Sequence, residues 1–263
     1  MTAYPLALAD STTMLRRNLR RMRRYPSLTL FIAGIPVLLL LLFVYVFGGT
    51  LGSGLDQVAG GRDGYLAYVV PGILLITVAG AAQGTSISVA MDMTEGIIAR
   101  FRTMNIARVS VLTGHVIGSV IQTMLAIVIV MAVAVLIGFR STTGPVQWSA
   151  AIGLLALAAF AVSWLSVALG MVAKSVETAS NLPMFLVFLP FLSSGFVPTE
   201  SMPPGLAWFA EHQPFTPLIE AVRSLLLGTP IGDNGVLAVS WCVAITIAGY
   251  LWARRLYDRE PES

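Results

Sequence analysis

The chain has 263 residues, of which 56% are hydrophobic and 11% charged, with a formal net charge of +3. Soluble domains carry about 25% charged residues, so water is excluded as the main solvent of this chain and lipid takes its place. The single cysteine, Cys242, lies in an apolar run, which excludes an internal disulfide framework and a cysteine metal cluster.

From about Ser11 to Tyr25 the sequence predicts a basic amphipathic helix. Leu15, Leu19 and Met22 fall within about 60° of one another on a helical wheel, and six arginines cover much of the rest. Asp10, Ser11 and Thr12 are capping types at its start, and Pro26 ends it. Such a helix lies in the headgroup layer and is drawn to anionic lipid. It serves as a topology anchor, or it also touches a cytoplasmic partner. A long basic stretch followed by a long apolar run does not read as a cleaved signal peptide.

A helix needs about 20 apolar residues to cross a hydrocarbon core about 30 Å thick. Six segments qualify: about Leu28–Phe47, Tyr65–Met91, Val111–Phe139, Trp148–Ala173, Leu182–Val197 and Val236–Ala253. The fifth is the shortest and carries Pro183 and Pro190. With the N-terminus inside, thirteen basic residues fall in inside segments and three (Arg62, Arg140 and Arg223) outside, while acidic residues divide seven to six. That asymmetry in arginine and lysine alone places both termini in the cytoplasm. Fifteen arginines beside one lysine, Lys174, hint at a GC-rich bacterial genome, and the expected location is the bacterial inner membrane.

The loop between spans two and three is the most informative. It opens Asp92-Met93-Thr94-Glu95, a capping-box-like start with carboxylates at the positive end of a helix. Met93, Ile97 and Phe101 follow at i, i+4, i+8 spacing, and Arg100 and Arg102 lie near the far end. A capped helix with an apolar edge on the cytoplasmic side is either a surface-lying connector or a ball that fits a socket on a cytosolic protein. The outer loop before the last span, about 198–235, is apolar and punctuated by Pro203, Pro204, Gly205, Pro214 and Pro217. Phe215, Leu218, Ile219, Val222, Leu225 and Leu226 keep helical spacing over a length too short to span, so a re-entrant or interfacial element is expected. Glu220 and Arg223, at i, i+3, are expected to form a surface pair.

The interiors of the predicted spans hold no Asp, Glu, Lys or Arg, which argues against a proton-coupled carrier. No H-E-x-x-H is present, so an intramembrane metalloprotease of that type is excluded. His115 near the cytoplasmic end of span three reads as a packing or interfacial residue. Gln83, Ser86 and Ser88 in span two, and Ser119, Gln122 and Thr123 in span three, read as helix glue, with Gln83 and Gln122 the candidates for a substrate path. Phe185, Phe188 and Phe191 repeat at i, i+3, i+6 on span five, a packing stripe or a substrate-facing one. No G-x-x-x-x-G-K-[ST] occurs, so this chain does not bind ATP in the P-loop manner. Uphill transport then needs energy delivered through a partner, and the capped loop is the place for that partner to push.

The order of elements resembles the ABC-2 type permeases, and within them the daunorubicin-resistance type of drug-efflux permease. The expected fold class is therefore an all-α membrane protein of six transmembrane helices, with an N-terminal interfacial helix, a cytoplasmic coupling helix and an outer re-entrant hairpin. Asp92-Met93-Thr94-Glu95-Gly96-Ile97-Ile98-Ala99-Arg100-Phe101-Arg102 resembles the family's acidic-x-x-x-Gly followed by an Arg-rich turn. Gln213-Pro214-Phe215-Thr216-Pro217, running on to Glu220 and Arg223, resembles its Asn-Pro-hydrophobic-Thr stretch ending in Arg, with Gln213 in place of the usual Asn. Gly195-Phe196-Val197-Pro198 followed by Pro203-Pro204 fits the stretch before the hairpin.

The resemblance implies a coupling role for the helix holding Asp92, Glu95, Gly96, Ile97, Arg100, Phe101 and Arg102. It implies a substrate path bordered by spans one, two and five. It also implies a cytosolic P-loop ATPase on which ATP and Mg²⁺ act, a second permease copy or a related permease, and contact with membrane lipid. No cofactor on this chain and no nucleic acid are expected. Export of a hydrophobic or amphipathic drug or lipid is the expected activity. A lipid-linked glycan or polysaccharide is the alternative cargo, and a secondary carrier or a membrane assembly factor the alternative class.

Overall fold

In a computed structural model, residues 26–54, 61–94 and 108–258 are described. The expected N-terminal helix at 11–25 and most of the loop between the second and third spans lie outside them.

The first span begins as α1 (Pro26–Leu42), passes through a π-helical turn at Phe43–Phe47 and ends as α2 (Gly48–Gly54). It is followed by α3 (Gly61–Thr94), α4 (Arg108–Leu136) and α5 (Pro145–Val172). The last long helix is α10 (Asn234–Asp258). Among the described residues, five helices are long and apolar enough to cross a membrane. At 34 residues, α3 is about 50 Å long, well beyond the hydrocarbon core, and it is the central helix, with its apolar window 83% buried by its neighbours.

The segment expected as the fifth span is not one continuous helix. Its helix starts earlier than expected, as α6 (Val176–Asn181), is interrupted at residues 182–183, and resumes as α7 (Met184–Phe188) and a 3-10 turn at Leu189–Leu192, short of the expected end at Val197. The cause is local. Pro183 and Pro190 have no N–H to donate and their rings crowd the preceding turn, so each lies where a new element begins: Pro183 caps α7, and Pro190 is the second residue of the 3-10 turn. The chain then turns through Ser193, whose hydroxyl donates to the Pro190 carbonyl and accepts from the Gly195 N–H.

Two short helices complete the fold, α8 (Pro204–His212) and α9 (Phe215–Leu227). Rather than lying on the surface, α9 is sunk into the bundle between α3, α5 and α10, with eleven of its residues buried. It stops at Gly228, whose φ of 75° is the left-handed conformation that closes a helix without a Cβ penalty.

Glycines set the closest helix crossings, as expected where backbones approach without a hydrophobic drive between spans. A Cβ on Gly170 of α5 would lie 2.6 Å from the Ser86 carbonyl oxygen of α3, and one on Gly249 of α10 would lie 2.7 Å from the Leu165 nitrogen of α5. Likewise, Gly72 of α3 meets the backbone of Gly195, with a Cβ there 2.7 Å from the Gly195 carbonyl oxygen. Gly170→Val or Gly249→Val should therefore force the helices apart and lower the melting temperature of the detergent-purified protein. Gly153→Ala, facing open space, should leave it unchanged. Equal melting curves for all three would refute the crossing assignment.

Candidate functional site

Ser119 of α4 meets Thr85 of α3 and Ser163 of α5 inside the bundle, and two larger polar groups lie toward its ends. At the end bearing α8 and α9, Arg223 of α9 is 8% exposed, so it is a buried clamp and not the surface residue that its i, i+3 spacing to Glu220 predicts. Its Nε and Nη2 donate to the Tyr68 carbonyl at 3.3 and 3.2 Å, and Nη2 also donates to the Ser194 carbonyl at 2.8 Å. Nη1 pairs with Glu220, and the guanidinium lies 3.9 Å over the Tyr68 ring. The Tyr68 hydroxyl returns a bond to the same Ser194 carbonyl at 2.9 Å. One side chain thus ties α9 to α3 and to the turn that ends the broken segment. The planar fork of arginine suits this multiple recognition in a way that lysine does not.

Gln213 organises the corner between α8 and α9. Its Oε1 accepts from the Phe215 N–H at 3.0 Å, and its Nε2 reaches the Leu189 carbonyl and Thr216 Oγ1, each at 3.3 Å. Thr216 Oγ1 donates in turn to the Ala210 carbonyl. Pro214 supplies a helical φ of −65° at the start of α9. Of the expected hairpin residues, Arg223 reaches the turn that ends the broken segment, Glu220 pairs with Arg223, Thr216 holds α8, and Pro214 starts α9.

Beside this clamp is an aromatic cluster that the sequence reading missed. Phe196 is within 4.4 Å of Phe43, centroid to centroid, and stacks on Phe191 at 5.1 Å. Phe43 opens the π-helical turn of the first span. Such turns insert a residue into a helix and recur at functional sites. The sequence signal was the Phe-Val-Tyr-Val-Phe run, which alone does not distinguish a π turn from an ordinary one. The stripe of Phe185, Phe188 and Phe191 is split by the break. Phe185 and Phe188 are half exposed on the outer surface of α7, whereas Phe191 is packed into this cluster. Gln83 donates to the Ser180 carbonyl at 3.0 Å, joining α3 to α6. Gln122 is partly buried on α4.

At the opposite end, Asp92 is in the last turn of α3, which continues through Thr94. Asp92 is therefore inside α3 and does not start a helix: Thr94 donates back to the Met91 carbonyl, and the buried Asp92 carboxylate meets His115 Nε2 of α4 at 3.0 Å. The extra length of α3 beyond the bilayer is the reason, since it carries the helix past the point where its apolar run ends. This pair joins the two helices at the roots of the loop between them. Glu95, Gly96, Ile97, Arg100, Phe101 and Arg102 lie in that loop, outside the described residues.

Comparison with known proteins follows the same outline. The family model described as ABC-2 type transporter matches residues 11–227. The daunorubicin resistance ABC transporter permease protein DrrB1 of Streptomyces coeruleorubidus is 29% identical over 228 residues, covering 86% of this chain and 78% of that protein. A probable doxorubicin resistance ABC transporter permease protein, DrrC of Mycobacterium tuberculosis, is 25% identical over 239 residues, covering 89% and 84%. Nodulation protein J of Rhizobium leguminosarum bv. viciae is 27% identical over 227 residues, covering 81% and 84%.

Proposed function

Since this chain belongs to the ABC-2 type transporter family and is the membrane permease subunit of an ABC exporter, we propose that it moves an apolar or amphipathic drug or lipid out of the bilayer through the broken fifth segment. Six crossings are proposed, with α6, α7 and the 3-10 turn forming the fifth. The thirteen-to-three division of basic residues supports cytoplasmic termini, which puts the Arg223 clamp outside and Asp92 and His115 inside. The loop between α3 and α4 then docks on a separate cytosolic ATPase, which binds the ATP and Mg²⁺. A second permease copy, or a related permease, completes the path across the membrane.

The observation that carries this reading is the break itself. Phe185 and Phe188 are exposed on α7 between two prolines, in a segment whose backbone lacks the continuous ladder of its neighbours. A gate that admits cargo sideways from lipid needs an apolar surface that can shift at low cost, and helix breaks at proline supply one. Glu177 is at the start of α6, and from Leu182 to Val197 the segment holds no Asp, Glu, Lys or Arg, so a strongly charged cargo would meet no partner at a depth where unpaired charge is costly.

Phe185→Ala and Phe188→Ala should change which members of a panel of amphipathic dyes and lipids are exported, with the basal ATP hydrolysis of the complex preserved. Phe191→Ala, which removes the stacking partner of Phe196, should instead lower stability. The measurement is dye and lipid transport in vesicles reconstituted with the partner ATPase. Movement of only highly charged, water-soluble solutes, with Phe185→Ala and Phe188→Ala silent, would refute the proposal.

A further inference from the structure

On the flank of the bundle away from the broken segment, α4 and α5 part to leave an apolar groove of about 540 Å³ at the end bearing the Arg223 clamp. Met131 and Val135 of α4 face Trp148 and Leu155 of α5, and the floor is Leu74 of α3 together with Leu226 of α9. The groove opens sideways, not toward an aqueous loop: Val128 and Leu136 on its α4 edge are 62% and 84% exposed on helices that cross the membrane. Above it sits Arg140. This residue is exposed, and its Nη1 is anchored to the Val135 and Phe139 carbonyls at 3.2 and 3.3 Å. Since Val135 is part of the groove lining, the bond to its carbonyl fixes the guanidinium, with its five-donor fork, next to the end of the groove.

We infer that this groove is a binding site for a membrane phospholipid, one acyl chain lying between α4 and α5 and the phosphate meeting Arg140. Lining and charge select this occupant: every lining side chain is hydrophobic, which suits an acyl chain, and the charge beside the groove is positive. An arginine fork beside an apolar slot matches a ligand with an anionic phosphate above a hydrocarbon tail. Trp148 lies at the mouth, where indole rings favour the boundary between hydrocarbon and headgroups.

The site reaches the transport machinery through its own rim. Ser141 and Thr142, the residues following Arg140, donate to the Leu226 and Leu227 carbonyls at 2.7 and 3.0 Å. These are end carbonyls of α9 that would otherwise be left without a helical partner. A lipid pressed on Leu226 and holding Arg140 therefore steadies α9, the helix that carries the Arg223 clamp. Lipid binding here does not depend on the proposed cargo or on which face of the membrane is outside.

The test is native mass spectrometry of the full chain, delipidated in detergent and titrated separately with dioleoylphosphatidylglycerol and with dioleoylglycerol, which has the chains without the phosphate. The parent should retain one phosphatidylglycerol per chain in preference to the diacylglycerol. Ala132→Trp, which fills the groove from its exposed edge, should weaken both roughly tenfold, the effect of withholding about two methylenes from burial. Arg140→Gln should erase the preference for the phosphate-bearing lipid, and Arg140→Lys should keep part of it. Equal retention of the two lipids by the parent would overturn the inference, as would an Ala132→Trp variant that binds like the parent. Cross-links between copies through Ala132→Cys in membranes would also overturn it, because they would show the groove covered by protein.

Discussion

Arg223→Ala is expected to lower the stability of the purified protein by about 3 kcal/mol and to stop export. The guanidinium is the shared donor for the Tyr68 and Ser194 carbonyls and the partner of Glu220, so its loss frees α9 from both α3 and the broken segment at once. Arg223→Lys should recover only part of the stability, because an ammonium cannot address both carbonyls and the carboxylate in one plane. Glu220→Gln should cost under about 1 kcal/mol, since the Glu220 side chain is 30% exposed and solvent compensates for the lost partner. Detergent melting curves of the three variants give the ranking. If Glu220→Gln proves as harmful as Arg223→Ala, the ion pair and not the carbonyl clamp holds the hairpin.

The second large effect is expected at the opposite end. Phe101→Asp and Glu95→Arg should each abolish stimulation of the partner ATPase while leaving membrane insertion and melting temperature unchanged. The first puts a charge on the apolar edge that the i, i+4, i+8 pattern defines, and the second reverses a carboxylate in the loop's first turn. Asp92→Asn and His115→Ala should produce a different signature. That pair is inside the bundle and joins α3 to α4, so these changes should weaken the coupling between hydrolysis and export and also lower stability, a buried bond between two helices being weakened or lost. Hydrolysis and dye export measured on the same vesicles separate the two patterns. Full stimulation in Phe101→Asp would remove the loop from the ATPase contact.

Five of the long helices are legible in the sequence because each is a run of apolar residues that lipid makes self-consistent. The fifth segment was legible as an anomaly, short and carrying two prolines, but the hydropathy of 182–197 does not reveal whether proline bends a helix or divides it. Arg223 was readable only as a neighbour of Glu220. Its burial depends on α9 sinking between α3, α5 and α10, and the carbonyls it holds belong to residues 155 and 29 positions away. The signal available was that α9 carries apolar residues around most of its circumference, which a surface helix does not. Asp92 illustrates the opposite difficulty. Its sequence neighbours make a plausible helix cap, and only the partner His115, 23 residues on, shows that it closes a seam between two spans.

The glycine crossings described above divide the molecule mechanically. Gly170 brings the backbones of α3 and α5 into contact, and Gly249 does the same for α5 and α10, so these three helices act as a stator. The broken segment is pinned to the stator at one end, where Gly195 lies on Gly72 and Arg223 grips Ser194. Toward its other end it remains on the same helix, with α6 packed along α3, Ala179 fully buried and Gln83 donating to the Ser180 carbonyl. The segment is thus fastened to the stator at both tips and interrupted between them, as a hinge is, and the place where it bends with least disturbance is α7 with Phe185 and Phe188, between Pro183 and Pro190.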